Sequence, residues 1–205
     1  MSSTIFKALS MILSVFAIVQ ISMAGDPDIL TDFIVPPNTT VDGNFFTFTG
    51  FRDIFSRNST LSQFTILKAS RLQFPALDGQ SVSYAFLEFP GGSINPPHTH
   101  PRSAELLFTV EGSLQVGFVD TTNKLFTQTL QIGDMFVFPK GLVHFQHNTD
   151  AQKPALAISA FGSANAGTVS IPTTLFNTSI DDTVLALAFK TDVATIQTLK
   201  KAFAS

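Results

Sequence analysis

The chain has 205 residues, enough for one good core and too few for two large domains. Its formal net charge of -3 excludes the strongly basic surface of a typical nucleic-acid binder. Hydrophobic residues make up 44%, charged residues only 13%, and there are 22 Phe against one Tyr and no Trp, so part of the surface is expected to be covered by another subunit.

The first 24 residues, MSSTIFKALSMILSVFAIVQISMA, carry Lys7 and then a mostly apolar run to Ile21. Ser22 and Ala24 are small residues at the -3 and -1 positions of a cleavage site, so residues 1–24 read as a secretory signal peptide. Ser10, Ser14 and Gln20 interrupt the run, which is short for a spanning helix, and no membrane span is expected after cleavage. A secreted chain often carries disulfides, yet this one has no cysteine. Its stability must come from the core, a metal or assembly. A secretory route also makes the sequons at Asn38, Asn58 and Asn177 candidates for N-glycosylation.

Residues 25–44 are rich in Pro, Asp, Asn and Thr and read as an irregular N-terminal extension. From 45 to about 175 short apolar or alternating runs follow: FFTFTGF, QFTILKA, VSYAFLEF, ELLFTVEGSLQVGFV, LFTQTLQI, MFVFP, LVHFQHN and ALAISAF. Turn residues separate them, which predicts an all-β sandwich or barrel in one domain, 25–205. Helices are predicted over about 180–203, a short one over Asp182–Phe189 and another capped by Thr191 or Asp192. In the latter, Val193, Ile196, Leu199 and Phe203 form one stripe, either core or intersubunit surface.

The stretch PPHTHPRSAE holds His98 and His100, which can share one face of a strand. Pro101 ends that strand, and Glu105 starts another in which Glu105, Leu107 and Thr109 share a face. A lone His-x-His is more often a hydrogen-bonded pair in a turn. A second segment, GDMFVFPKGLVHFQHN, shifts the balance, because a hairpin at Pro-Lys-Gly would bring His144 against the other three groups. Three histidines and one Glu suit manganese or iron with open positions, whereas zinc more often closes at four ligands. His147 has the opposite strand parity and reads as a surface or interface residue. Asn148 reads as a residue of a turn or of a backbone hydrogen bond, and Arg102 and Lys140 flank the two turns as solvated cations or as guides for an anion.

The pattern Gly92-x5-His98-x-His100-x4-Glu105-x6-Gly112 resembles the first cupin motif, and Gly133-x5-Pro139-x-Gly141-x2-His144-x3-Asn148 resembles the second. With GDPDILTDF, PKGLVHFQHN and IPTTLF, the whole chain after the signal segment resembles plant germin-like proteins. The resemblance implies a cupin jelly-roll β-barrel with C-terminal α-helices and a manganese ion on His98, His100, Glu105 and His144. It implies an extracellular glycoprotein of the apoplast or cell wall, assembled as a hexamer, with a role in plant defence. The activities implied are superoxide dismutase or oxalate oxidase on a small-molecule substrate; some members are auxin-binding, cell-wall or nutrient-reservoir proteins instead. Two departures stand out. The usual N-terminal disulfide is missing, with Ile34 after Asp32-Phe33. Oxalate-oxidising germins resemble this chain at Asn95, a substrate-pocket candidate, but carry an asparagine where this chain has Ala85.

Overall fold

The computed structural model describes residues 25–56 and 62–204; the expected signal peptide and the Asn58 sequon lie outside the described residues. Ten strands form in the order expected of alternating apolar runs: β1 (Thr65–Ala69), β2 (Ser83–Phe89), β3 (Ile94–Thr99), β4 (Glu105–Glu111), β5 (Leu114–Val119), β6 (Leu125–Leu130), β7 (Met135–Phe138), β8 (Val143–His147), β9 (Ala155–Phe161) and β10 (Val169–Ser170). They make two antiparallel sheets, β1-β2-β9-β4-β7 and β10-β3-β8-β5-β6. In β4 and β9 burial alternates, so one face of each strand enters the space between the sheets. Leu87, Phe89, Leu107, Leu114, Val116 and Phe138 meet there at 0–1% exposure. Each such side chain contributes roughly 1.5–3 kcal/mol when taken from water.

The run FFTFTGF does not form the expected strand. The Asp42 carboxylate accepts from the backbone N–H of Asn44 and Phe45 and starts a tight turn. The phenylalanines then serve as a cover. Phe51 and Phe55, the latter on helix α1 (Arg52–Ser56), pack edge-on against Phe86 on the outer face of β2. Nor does Pro-Lys-Gly close a hairpin. β7 pairs with β4 in one sheet while β8 pairs with β3 and β5 in the other, so the turn crosses between sheets. Gly141 has φ +78°, available to glycine without strain, and its N–H donates to the His100 carbonyl at 3.2 Å. Gly112 makes the equivalent crossing from β4 to β5, where a Cβ would lie 2.5 Å from the Pro154 carbonyl oxygen.

Three helices follow the strands: α2 (Ile171–Phe176), α3 (Asp182–Phe189) and α4 (Val193–Phe203). Of the two cap candidates for α4, Asp192 takes the role, accepting from Thr195 N–H at 2.9 Å. Asp181 caps α3 in the same way, and Lys200 reaches Asp182 across the helix pair at 2.7 Å. The stripe on α4 divides: Ile196 is fully buried against Leu185 and Ala186, while Val193 and Leu199 stay more than a third exposed.

The N-terminal segment is fixed without a covalent link. The Asp26 carboxylate accepts from Ser163 Oγ and from Ala164 N–H, both at 2.6 Å. Ile29 and Ile34 lie over Gly79, whose missing Cβ makes room for them. The Gln80 amide donates to the Asp32 carbonyl at 3.2 Å.

Candidate metal centre

Four side chains meet inside the barrel, each at most 5% exposed: His98 at the end of β3, His100 just beyond it, Glu105 opening β4 and His144 in β8. One ligand atom from each lies within 4.8 Å of the others, so the group could hold a metal ion. The crossed turn thus delivers His144 by a different route from the hairpin expected. β8 runs beside β3 with His98 directly opposite His144.

β3 reaches this arrangement through an irregularity. Asn95 pairs with Gln146 and His98 with His144, so three steps on β3 match two on β8. Pro96 and Pro97 fill the extra length, where no ladder donor is needed. The bulge turns both Asn95 and His98 inward, although their separation would put them on opposite faces of a regular strand.

Hydrogen bonds fix every ring. The Nδ1 of His98 faces the Pro96 carbonyl at 2.8 Å and that of His144 the Leu142 carbonyl at 2.9 Å. His100 Nδ1 makes a short contact to the Gly167 carbonyl. A carbonyl can only accept, so each Nδ1 carries a proton and each Nε2 faces the centre, presenting a lone pair to a metal or, for His100 and His144 without one, a proton to Glu105. Glu105 Oε2 lies 3.0 Å from His100 Nε2 and 3.1 Å from His144 Nε2. Lone pairs this close repel unless a proton or a metal cation sits among them, so the donor set fits a metal. Burial works to raise the Glu105 carboxyl, but hydrogen bonds and charge from His100 and His144 outweigh it and hold the group well below the usual carboxylate range. Burial, followed by the charge of His144, pushes His98 down to about 4.

The other carboxylate oxygen has its own partners. Glu105 Oε1 accepts from Ser159 Oγ at 2.6 Å and from the Gln146 amide at 3.2 Å. Gln146 Oε1 in turn accepts from the Asn95 amide at 2.7 Å, so Asn95 lies beside the centre with one amide group already committed. Sequence reasoning missed Gln146, Ser159 and Gly167. For the first two a signal existed: Gln146 shares the parity of His144, and Ser159 is the polar residue on the inward face of ALAISAF. Phe138 stacks on His144 at 4.5 Å between centroids, and Phe161 meets His100 edge-on at 4.9 Å.

The remaining candidates lie further out. His147 is half-buried with its side chain off the site, and Asn148 is buried, its amide donating to the carbonyls of Phe89, Pro90 and Lys153. Arg102 Nε donates to the Asn165 carbonyl, which straps down the loop that carries Gly167; Lys140 is exposed. Asn38 and Asn177 are exposed. A cavity of about 260 Å³ opens beside His100, with Ala85, Phe161 and Lys68 among its lining.

The family profile described as Cupin matches residues 55–197. Germin-like protein 9-3 of Oryza sativa subsp. japonica is 62% identical over 193 residues, covering 91% of this chain and 90% of the relative. The chain belongs to the germin-like proteins of the cupin superfamily. Germin-like protein 9-1 of the same species is 50% identical over 93% of this chain and 78% of its own length. Among solved structures, an oxalate oxidase in complex with the substrate analogue glycolate superposes with a TM-score of 0.77 at 28% identity, covering 87% of this chain and 98% of that one. The fold of this germin-like chain is therefore the cupin fold of that oxidase.

Proposed function

We propose that this germin-like protein is a secreted manganese protein of the plant extracellular space that dismutates superoxide. The observation that carries the reading is the buried His3Glu donor group, with Ala85 and no side-chain amide at that inward position of the adjoining cavity. His98, His100 and His144 would hold the metal through Nε2, and Glu105 through Oε2, offsetting part of its charge. Manganese, when bound, supplies a one-electron couple, by which two superoxide anions and two protons become dioxygen and hydrogen peroxide. The protein's part is geometry and exclusion. Backbone carbonyls hold the three rings, Ser159 and Gln146 hold the carboxylate, and Phe138 and Phe161 keep water from the ring faces.

Oxalate oxidation is the second reading, favoured by the superposition on oxalate oxidase. Oxalate is a dianion whose far end needs fixed donors, and a site lacking them binds it poorly. Ala85 is 1% exposed, faces inward and offers no donor; one of the two N–H donors of the Asn95 amide is committed to Gln146. A non-enzymatic wall-binding, auxin-binding or storage role is the third reading, with the metal only stabilising the barrel. Metal analysis with superoxide and oxalate assays on the purified protein separates the three. Dismutation with weak or no oxalate turnover is expected, and Ala85→Asn should raise oxalate turnover. Robust oxalate oxidation by the unmodified chain overturns the ranking, and bound manganese with neither activity favours the third reading.

A further inference from the structure

The cavity beside His100 has a lining of uneven charge. Its walls come from β1, β2, the end of β4's sheet partner β9 and the loop before β10, and they include Ala85, Phe161 and Gly167. No Asp or Glu lines it, and Lys68 is the one lysine or arginine that does. The direction of Lys68 follows from register. Lys68 lies directly opposite Ala85 in the antiparallel pair β1–β2, and opposed residues project from the same face of a sheet. Ala85 faces the interior, so Lys68 projects from the interior face too, at the rim where β1 is the edge strand. Lys68 stays exposed, and no described acidic side chain pairs with its ammonium.

We propose that this cavity is the approach to the metal centre, that it takes small monoanions, and that Lys68 is the residue that draws them in. The proposal rests on the metal-site reading above but not on the reaction assigned to it. A single cation at the mouth of a pocket with no acidic residue in its lining raises the local concentration of a small anion. One lysine matches one negative charge, so it favours a monoanion with one atom on the metal over a dianion, whose second charge finds no further lysine or arginine in the lining. The two cations considered from sequence, Arg102 and Lys140, do not fill this role: Arg102 is strapped to the Asn165 carbonyl and Lys140 does not line the cavity.

The test uses manganese-loaded protein with azide as the probe, binding being read from the manganese paramagnetic resonance signal. Lys68→Gln should weaken azide binding about 3- to 10-fold at low ionic strength, as expected for one charge removed at the rim of a site in partly screened surroundings. The gap should close at ~0.5 M salt, where the screening length falls to a few ångströms. Lys68→Arg should keep the wild-type affinity, and manganese content should be equal in all three proteins. Unchanged azide affinity in Lys68→Gln at low salt overturns the proposal, as does an unmodified protein that binds no azide. Manganese loss from Lys68→Gln overturns it too, by making Lys68 part of the scaffold. Salt-dependent azide binding that needs Lys68, in a protein without dismutase activity, supports the approach while removing the reaction assigned above.

Discussion

At the scale of single residues, the four inward donors differ in how they are supported, and this sets what each substitution does. His100 is one of the four converging donors, so on the proposed function His100→Ala should abolish stoichiometric manganese and lower the melting temperature, read by metal analysis and calorimetry. Gln146→Ala leaves all four ligands in place but frees one side of Glu105 Oε1. It should weaken manganese by about 10- to 100-fold without abolishing binding, the usual effect of removing a partner of a ligand. Acid acts through the same groups. Burial lowers His98 from 6.5 to about 4, so the unfolded chain takes up that proton first as pH falls. Its contribution to stability is therefore complete above about 6.5 and is lost on acidification towards 4. Glu105 has the same sign: its carboxyl is depressed, and its contribution is present above 4.5 and lost at lower pH. Metal-free protein should thus show a melting temperature that falls continuously below pH 6.5, with no optimum in the acid range; a melting temperature flat from pH 7 to pH 4.5 would contradict it.

At the scale of elements, the inward donor group was legible and its delivery was not. His98, His100, Glu105 and His144 stand at spacings that strand parity and a proline break can interpret from the sequence alone. Asn95 could not be placed by parity, because it differs from His98 by three and only the Pro96-Pro97 bulge turns both inward. The crossing at Pro-Lys-Gly looks like a hairpin in sequence, since a tight turn between two apolar runs does not say which sheet the second run will join. FFTFTGF has the composition of a strand, and what decides against it is a carboxylate–amide turn at Asp42 and an outer sheet face in need of cover. Lys68 was invisible for a related reason: a charged residue in an alternating run reads as solvent-facing until the register opposite Ala85 is known. The C-terminal helices were plain in their caps and stripe because those signals are local.

At the scale of the whole molecule, a continuous apolar area remains uncovered. Leu106 and Phe108 on the outer face of β4 stand opposite Val137 and Met135 on β7, and all four are at least 38% exposed. Val184 and Leu187 on α3 are exposed at 56% and 76%. Uncovered apolar surface of this kind marks an association face, and the germin resemblance supplies a hexamer as the assembly to expect. Light scattering at micromolar concentration should show an oligomer, and Val137→Lys should shift it towards smaller species while leaving the manganese content of each chain unchanged. A monomeric unmodified protein would remove the interface reading.

The Asp26 tether has a reach beyond holding a terminus in place. It grips Ser163 and Ala164, and three residues further on Gly167 sets the ring of His100. Two distant parts of the chain, one of them at the N-terminal edge, therefore share one short loop. Free energies coupled through a shared segment act in both directions. Manganese loading should slow proteolytic cleavage between residues 25 and 51, and Asp26→Ala should both hasten that cleavage and increase manganese release to a chelator. Because the clasp is made of hydrogen bonds and not sulfur, thiol reductants should leave both rates unchanged.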